Sequence, residues 1–523
     1  MSPTSPTTVI IAPPPTPNGN LHVGHIAGPY LAGDVYARYL RAIGRPVVFT
    51  TGTDDSQTYV VASAAKLRTT PQELCALSAK QIERTLEVMG ISVDGFAPFD
   101  DGYRRTALDF LTALHATGKL RLRTGTFPYL ESTGEFLMEG LVAGDCPVCL
   151  AESRGGLCEA CGHPNNFSEL INPRSTIDPT EPVAFREAEI LVLPMEEYRE
   201  QLTAYHQSQG AGWRPHLVQL FKEVLSRPLP DFPITFPTGW GIAAPFPETP
   251  GQVLNAWAEG MAASMYCTWW AGDDHAAATD EAWRAEHSAR LVYFLGFDNG
   301  YFWGGTHLAM LMAHDGRYVL PDTIVCNEFY ELEHEKFSTS KGHVVWAEDL
   351  VDEVPRDLIR FYLSLTCPEN QRTNFSRAAF EQITADRLVA PWNRLSDRLA
   401  QRLDDVRPTG PLATSAEGRA RAAAMEERFH TCYELSSYSL ARAADLIITQ
   451  VQRLERNADA PDTALGDLLL ETRTLLSCAS PVLIDVAEQA REAGVAVDLR
   501  GESADEIPPF RLPQIATPSR TAP

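Results

Sequence analysis

Two Cys-x-x-Cys pairs, Cys146-Pro-Val-Cys149 and Cys158-Glu-Ala-Cys161, stand eight residues apart in a stretch that also carries Gly155, Gly156 and Gly162. Each pair clips one edge of a tetrahedron, so four thiolates close a structural zinc site with no position left for water. A glycine-rich loop of this kind has no apolar core of its own, and the metal must supply what holds it folded. The other six Cys are scattered singly, which argues for a reducing compartment and against a disulfide framework. With 44% hydrophobic and 21% charged residues, and no apolar run near the roughly 20 residues of a membrane span, the composition is that of a globular chain. No basic and apolar leader precedes the first strand, so a cytoplasmic location with no membrane partner is expected. The net charge of -24 opposes nonspecific binding to a polyanion.

Around the Cys pairs the chain alternates between strand and helix. Thr8-Val-Ile-Ile-Ala12 is a short strand closed by three prolines; a helical pattern follows from Leu21 to about Ile43, and a second strand ends in Gly52-Thr-Asp54-Asp55. Such alternation predicts an α/β fold on a parallel sheet. The texture turns irregular from Leu120 to Pro250, which reads as an insertion within the sheet domain. Leu388, Trp392, Leu395, Leu399 and Leu403 keep helical spacing, and Leu468, Leu469, Leu475, Leu476 and Leu483 mark later helices of a bundle. The expected division is a sheet domain over 1–116 and 226–330, an insertion with the Cys pairs over 117–225, a Lys- and Ser-rich loop region over 331–372, a helical bundle over 373–500 and a disordered tail over 501–523.

Two further motifs carry chemistry. His22-Val-Gly24-His25 opens the first helix; its imidazoles share a helical face, and Gly24 leaves room for a flat ring or a phosphate to approach the backbone. Glu335-Lys336-Phe-Ser338-Thr339-Ser340-Lys341-Gly342 offers flexible cations and hydroxyls suited to polyphosphate.

Together, the first strand, His-x-Gly-His, the zinc knuckle, the Lys-rich loop and the terminal bundle resemble the class I aminoacyl-tRNA synthetases, and closely their methionyl branch, over about Val9 to Glu488. The resemblance implies a Rossmann-type catalytic domain with an inserted zinc knuckle, followed by a helical bundle like an anticodon-binding domain. It implies an AMP-forming ligase: an amino acid carboxylate attacks the α-phosphate of ATP, with Mg²⁺ accompanying the nucleotide. His22, His25, Lys336 and Lys341 would be catalytic. His22, Gly24, His25, Asp298, Lys336, Ser338, Thr339 and Ser340 would hold ATP. Asp55 would take the substrate's amino group, and Pro14, Thr16, Trp257, Ser264 and Trp303 would line its side-chain pocket. Cys146, Cys149, Cys158 and Cys161 match the family's knuckle.

The sequence also departs from the family. The second signature, Lys-Met-Ser-Lys-Ser, reads Lys336-Phe-Ser-Thr339-Ser340, with Lys341 the nearest replacement for the missing Lys. Ser264 stands where the family has Tyr, and Trp303 where it has His, which predicts a reshaped pocket. Between Gln371 and Ser480 there are 14 Arg, no Lys and 15 acidic residues, and no Trp marks the later loop where the family reads an anticodon base; Trp392 and Asn393 are the remaining candidate readers. The expectation drawn from these departures is transfer of the activated amino acid to a small N-hydroxylated amine, toward a hydrazine, with a separate cupin-type partner protein. The alternatives are a methionine–tRNA ligase that charges tRNA, and a non-catalytic zinc-knuckle binding protein.

Overall fold

The computed structural model describes residues 6–337, 342–459, 464–499 and 505–517. The chain divides into two compact units, one of Met1–Asn20, Val47–Arg84 and Val93–Asn327, the other of Leu21–Pro46, Thr85–Ser92 and Glu328–Pro523. No helix among the described residues is long and apolar enough to cross a membrane.

The first unit is built on five parallel strands in the order Thr323–Asn327, Arg290–Gly296, Thr8–Ile11, Val47–Gly52, Gly95–Ala97. Thr8–Ile11 lies at the centre, with Ile10 level with Val292 on one side and Phe49 on the other. All four of its residues are buried, as a parallel strand covered on both faces requires. From this strand the order runs outward in both directions, so its carboxyl end is a topological switch point, where open α/β sheets bind ligands. The segments leaving the sheet there carry Pro14 and Thr16, Asp54 and Asp55, and Asp298. Helix Asp101–Ala116 starts where the Asp100 carboxylate accepts from the amides of Gly102 and Tyr103, and helix Ala256–Ala271 starts at Asn255, whose side chain accepts from the Trp257 amide. The Thr50 hydroxyl ties the second strand to that helix by donating to the Cys267 carbonyl at 2.7 Å.

The insertion is more regular than its sequence texture. Arg121–Leu130 and Ala184–Leu193 form a long antiparallel ribbon, paired from Tyr129 opposite Ala184 to Arg121 opposite Val192. In each strand the first six residues are exposed or half-buried and the last four are buried, so burial changes along the strand instead of alternating, which hides the period-two signal.

In the second unit the leucine spacing is realised as packing. Leu388, Trp392, Leu395, Leu399 and Leu403 are buried along helix Ala390–Val406, as are Leu468, Leu469, Leu475, Leu476 and Leu483. Helix Leu31–Ala42 belongs to this unit and not to the sheet unit in which its sequence position would place it. The reason is Asp34, whose Oδ2 meets Arg360 Nη2 at 2.6 Å with both side chains fully buried. Arg360 also donates to the carbonyls of Met89, Gly90, Pro481 and Val482, and Asp34 accepts from the amide and hydroxyl of Ser92. Burial alone would raise the Asp34 carboxyl, but Arg360 and Arg38 overcome it and hold the group below its ordinary value.

The expected disordered tail is corrected in part: residues 505–517 are placed. Glu506–Ile507 pairs with Leu412–Ala413, and Ile507, Leu512 and Ile515 are buried, so apolar anchors hold a Pro-rich segment whose composition alone reads as disorder.

Arg360→Ala would leave Asp34 charged, buried and deprived of its closest cation. The expected loss of stability is about 3–5 kcal/mol, read as a lower urea midpoint at unchanged slope.

Candidate active site and four-cysteine knuckle

Among the expected site residues, His22, Gly24, His25 and Lys336 lie in the second unit. Pro14, Thr16, Asp55, Trp257, Ser264, Asp298, Trp303 and the four Cys lie in the first. Ser338, Thr339, Ser340 and Lys341 lie outside the described residues.

His22 is an N-cap in extended backbone, and its Nδ1 accepts from the Gly24 amide at 3.1 Å. His25 reaches back, its Nδ1 accepting from the His22 amide at 3.2 Å, so the two imidazoles form a reciprocal capping box. Their rings stack with centroids 3.8 Å apart. Burial and then the neighbouring His25 push His22 well below its ordinary value, and crowding by protein pushes His25 down to about 4, although part of its ring is exposed. Both rings are therefore neutral at pH 7. Because each Nδ1 accepts a backbone N–H, each proton sits on Nε2, and the pair presents two N–H donors suited to phosphate oxygens.

The loop after the second strand separates two adjacent carboxylates that the sequence does not distinguish. Asp55 Oδ1 accepts from the Thr53 hydroxyl at 2.5 Å, and the Asp55 carbonyl accepts from Trp240 Nε1 at 3.0 Å. Asp54 is fastened by its amide to the Pro15 carbonyl at 3.1 Å, and its Oδ2 accepts from Gln57 Nε2 at 2.8 Å. Its Oδ1 is buried and has no partner among the described residues. Gly260, one turn beyond Trp257, lies against this carboxylate: a Cβ there would make an ordinary contact with Asp54 Oδ2, at 3.4 Å. Burial pushes Asp54 up to about 8. Two acids that belong to none of the sequence motifs crowd the same region. Glu139 is pushed to about 8 by burial and then by Asp54; Glu259, whose Oε1 accepts from the Ser56 hydroxyl, is driven well up by the same two causes. Glu259 Oε2 and the Tyr103 hydroxyl are also buried without partners among the described residues. Acids gathered here around an unmet carboxylate oxygen form a seat for a cation such as an ammonium group.

The remaining expected residues differ in availability. Trp257 is partly exposed and stacks on Phe302 at 3.9 Å; Pro14 and Thr16 are partly exposed. Ser264 is buried with its hydroxyl donating to the Gly260 carbonyl, and Trp303 is buried edge-on against Tyr293 and His307. His307, absent from the sequence analysis, is wholly buried in this aromatic cluster with its Nε2 unpartnered among the described residues. Asp298 accepts from Asn299 Nδ2 at 3.2 Å, and a Cβ at Gly296 would come within 2.6 Å of Asp298 Oδ1, so a side chain there would shift this carboxylate.

In the knuckle the four Sγ atoms lie within 4.8 Å of one another. Cys146 and Cys161 are 3.9 Å apart and Cys149 and Cys158 are 3.7 Å apart. A tetrahedron with metal–sulfur bonds of about 2.3 Å has edges of about 3.8 Å, so the thiolates fit a closed zinc site. Gly162, at φ +74°, lets the knuckle approach the segment that carries Asp298: a Cβ there would stand 3.0 Å from the Phe297 ring.

The family model described as tRNA synthetases class I (M) matches residues 8–400. The chain belongs to this family. The methionine–tRNA ligase of Porphyromonas gingivalis is 32% identical over 405 residues, covering 75% of this chain and 57% of that enzyme. That of Roseiflexus sp. is 34% identical over 396 residues, covering 74% and 67%. The chain thus spans little more than half the length of the first of these relatives. Among solved structures, Mycobacterium tuberculosis methionyl-tRNA synthetase bound by methionyl-adenylate superposes with a TM-score of 0.74 at 19% identity, covering 98% of this chain and 99% of that one.

In the helical bundle, the candidate readers Trp392 and Asn393 are already occupied. Trp392 Nε1 donates to the Pro513 carbonyl at 2.9 Å, and Asn393 pairs with both the amide and the carbonyl of Ile515. The Ser396 hydroxyl donates to the Leu512 carbonyl. The two candidate readers hold the chain's own C-terminal segment.

Two outcomes check this site. Because Asp54 must ionise to pair with an ammonium group, amino acid affinity is expected to rise by up to tenfold per pH unit toward about pH 8 and then level, and to lose this dependence in Asp54→Asn; titration calorimetry across pH 6–9 reads both. Cys158→Ser is expected to reduce bound zinc from one equivalent to a small fraction of one and to destabilise the insertion first, read by metal analysis and limited proteolysis.

Proposed function

We propose that the chain is an ATP-dependent amino-acid-activating ligase, with methionine as substrate and tRNA as acceptor. The observation that carries this reading is the buried Asp54 carboxylate, its Oδ1 without a partner among the described residues, at the carboxyl end of a parallel strand and beside the helix of Trp257, in a chain 31–34% identical to methionine–tRNA ligases. The amino acid carboxylate oxygen attacks the α-phosphorus of ATP; a new P–O bond forms, the bond to the bridging oxygen breaks, and pyrophosphate leaves.

In this reading Asp54, and not its neighbour Asp55, takes the ammonium group, because Asp54 Oδ1 is buried without a partner among the described residues while Asp55 Oδ1 accepts from the Thr53 hydroxyl. Trp257, Pro14 and Thr16 would meet the substrate side chain, with Ser264 and Trp303 shaping the wall behind it. Asp298 would meet the ribose. The Nε2–H groups of His22 and His25 would donate to phosphate oxygens, and Lys336, with Lys341 and the hydroxyls of Ser338, Thr339 and Ser340, would neutralise charge on the departing pyrophosphate. Mg²⁺ arrives with ATP as part of the substrate. Zinc, held by Cys146, Cys149, Cys158 and Cys161, stays structural, since four thiolates leave no open position.

One observation favours a second acceptor. With Trp392 and Asn393 engaged by Leu512–Ile515 and the bundle carrying no cationic excess, a small N-hydroxylated amine could receive the aminoacyl group in place of tRNA, with a cupin-type protein completing any rearrangement.

Amino-acid-dependent ATP–pyrophosphate exchange over the standard amino acids tests the first step, with exchange expected for methionine and at least a hundredfold loss in Asp54→Ala. Silence with all twenty would sink the reading. Single-turnover transfer from the preformed adenylate to methionine tRNA or to N-hydroxylated amines then separates the two acceptors.

A further inference from the structure

Gly24 leaves space for a flat ring against the backbone, and in this structure the ring that fills it is the chain's own Phe337. A Cβ at Gly24 would lie 2.9 Å from Phe337 Cε2. The Phe337 ring stacks on His22 with centroids 4.2 Å apart and planes 5° from parallel. His25 is stacked on His22 as well, at 3.8 Å. Two rings that each lie face to face on one imidazole at this distance must take opposite faces, so His22 is sandwiched and neither of its faces is open. The residue next to Phe337, Lys336, keeps its ammonium 5.9 Å from the centroid of the Phe329 ring, which also carries the Arg372 guanidinium at 5.6 Å.

We propose that Phe337 is an internal stand-in for the nucleotide: in the free protein its ring occupies the His22 face and the ground over Gly24, and ATP must displace it to bind. This rests on the ATP reading above. Displacement carries Lys336 along, because the two residues are adjacent in the chain, so arrival of the nucleotide moves the lysine from its place over Phe329. Phe337 therefore makes Lys336 responsive to an occupied site. No bond is made or broken in the exchange; one stacking partner replaces another.

The sign of a single measurement separates this role from a structural one. A stacked aromatic pair is worth about 2- to 12-fold in an equilibrium constant. If the ring competes with ATP, removing it relieves that competition. Binding of a non-hydrolysable ATP analogue to the full chain, read by calorimetry, is expected to be about 2- to 10-fold tighter in Phe337→Ala and Phe337→Leu than in wild type, and unchanged in Phe337→Tyr, which keeps the stack. In pyrophosphate exchange the same two variants are expected to lower the KM for ATP without raising kcat. Equal or weaker binding in both the alanine and the leucine variants overturns the proposal, since a ring that merely supports His22 would lower affinity when lost. If wild type and all variants fail to bind the analogue, the ATP reading itself falls and the displacement mechanism falls with it; binding by wild type with no gain in the variants removes the displacement alone.

Discussion

The ion pair between Arg360 and Asp34 is the interaction on which the second unit depends. Neither side chain is exposed, and a charge taken wholly out of water costs several kcal/mol unless every donor and acceptor is met. Here the guanidinium fork is spent on Asp34 and on the carbonyls of Met89, Gly90, Pro481 and Val482, while Asp34 also holds Ser92 and Arg38. Stretches far apart in sequence are thus pinned to one point: the helix Leu31–Ala42, the short stretch Thr85–Ser92, the helix Arg356–Leu365 and the turn before Ile484–Glu492. The His22–His25 turn precedes that first helix by a few residues, separated from it by a π turn in which Gly28 leaves helical geometry and Pro29 removes a donor. The anchor thereby holds the base of the element that presents the histidines.

Both chemical centres keep formal charge out of the free protein by different means. At the His pair, backbone amides occupy both Nδ1 atoms and burial disfavours a second proton, so the rings stay neutral donors. Burial raises the Asp54 carboxyl, and burial and then Asp54 raise those of Glu139 and Glu259, so the cluster holds protons that a bound ammonium group would release. On the proposed reading a ligand would supply what each centre lacks, an anionic polyphosphate at the first and an ammonium group at the second. The polar groups are in place before it arrives, which is the condition for electrostatic preorganisation.

Several features were legible because they are encoded by local spacing. The Cys pairs meet at tetrahedral separations because two tight turns present their thiols together; the His pair meets because positions three apart share a helical turn; the leucines of 388–403 line one face for the same reason. The parallel α/β sheet followed from strands alternating with helices. Other features had no local signal. Asp54 and Asp55 are neighbours of one chemistry, and only the turn geometry turns one toward Thr53 and buries the other with its Oδ1 unpartnered among the described residues. Glu139, Glu259 and His307 come from remote segments and read in sequence as ordinary helix or loop residues. Residues 505–517 read as a solvated tail, since scattered apolar residues among prolines do not signal order until a partner surface is known.

By itself the sequence determined the class of sheet, the knuckle, the histidine turn and the apolar faces of the bundle, because each depends on residues close enough in the chain for periodicity and spacing to dictate their geometry. The tertiary structure decided which carboxylate stands unmet, that Trp392 and Asn393 grip the chain's own C-terminal segment, and that Phe337 lies on His22. These are contacts between segments tens to hundreds of residues apart or choices between chemically equal neighbours. Their free energies come from burial, stacking and desolvation, which take their values only once the packed surroundings exist.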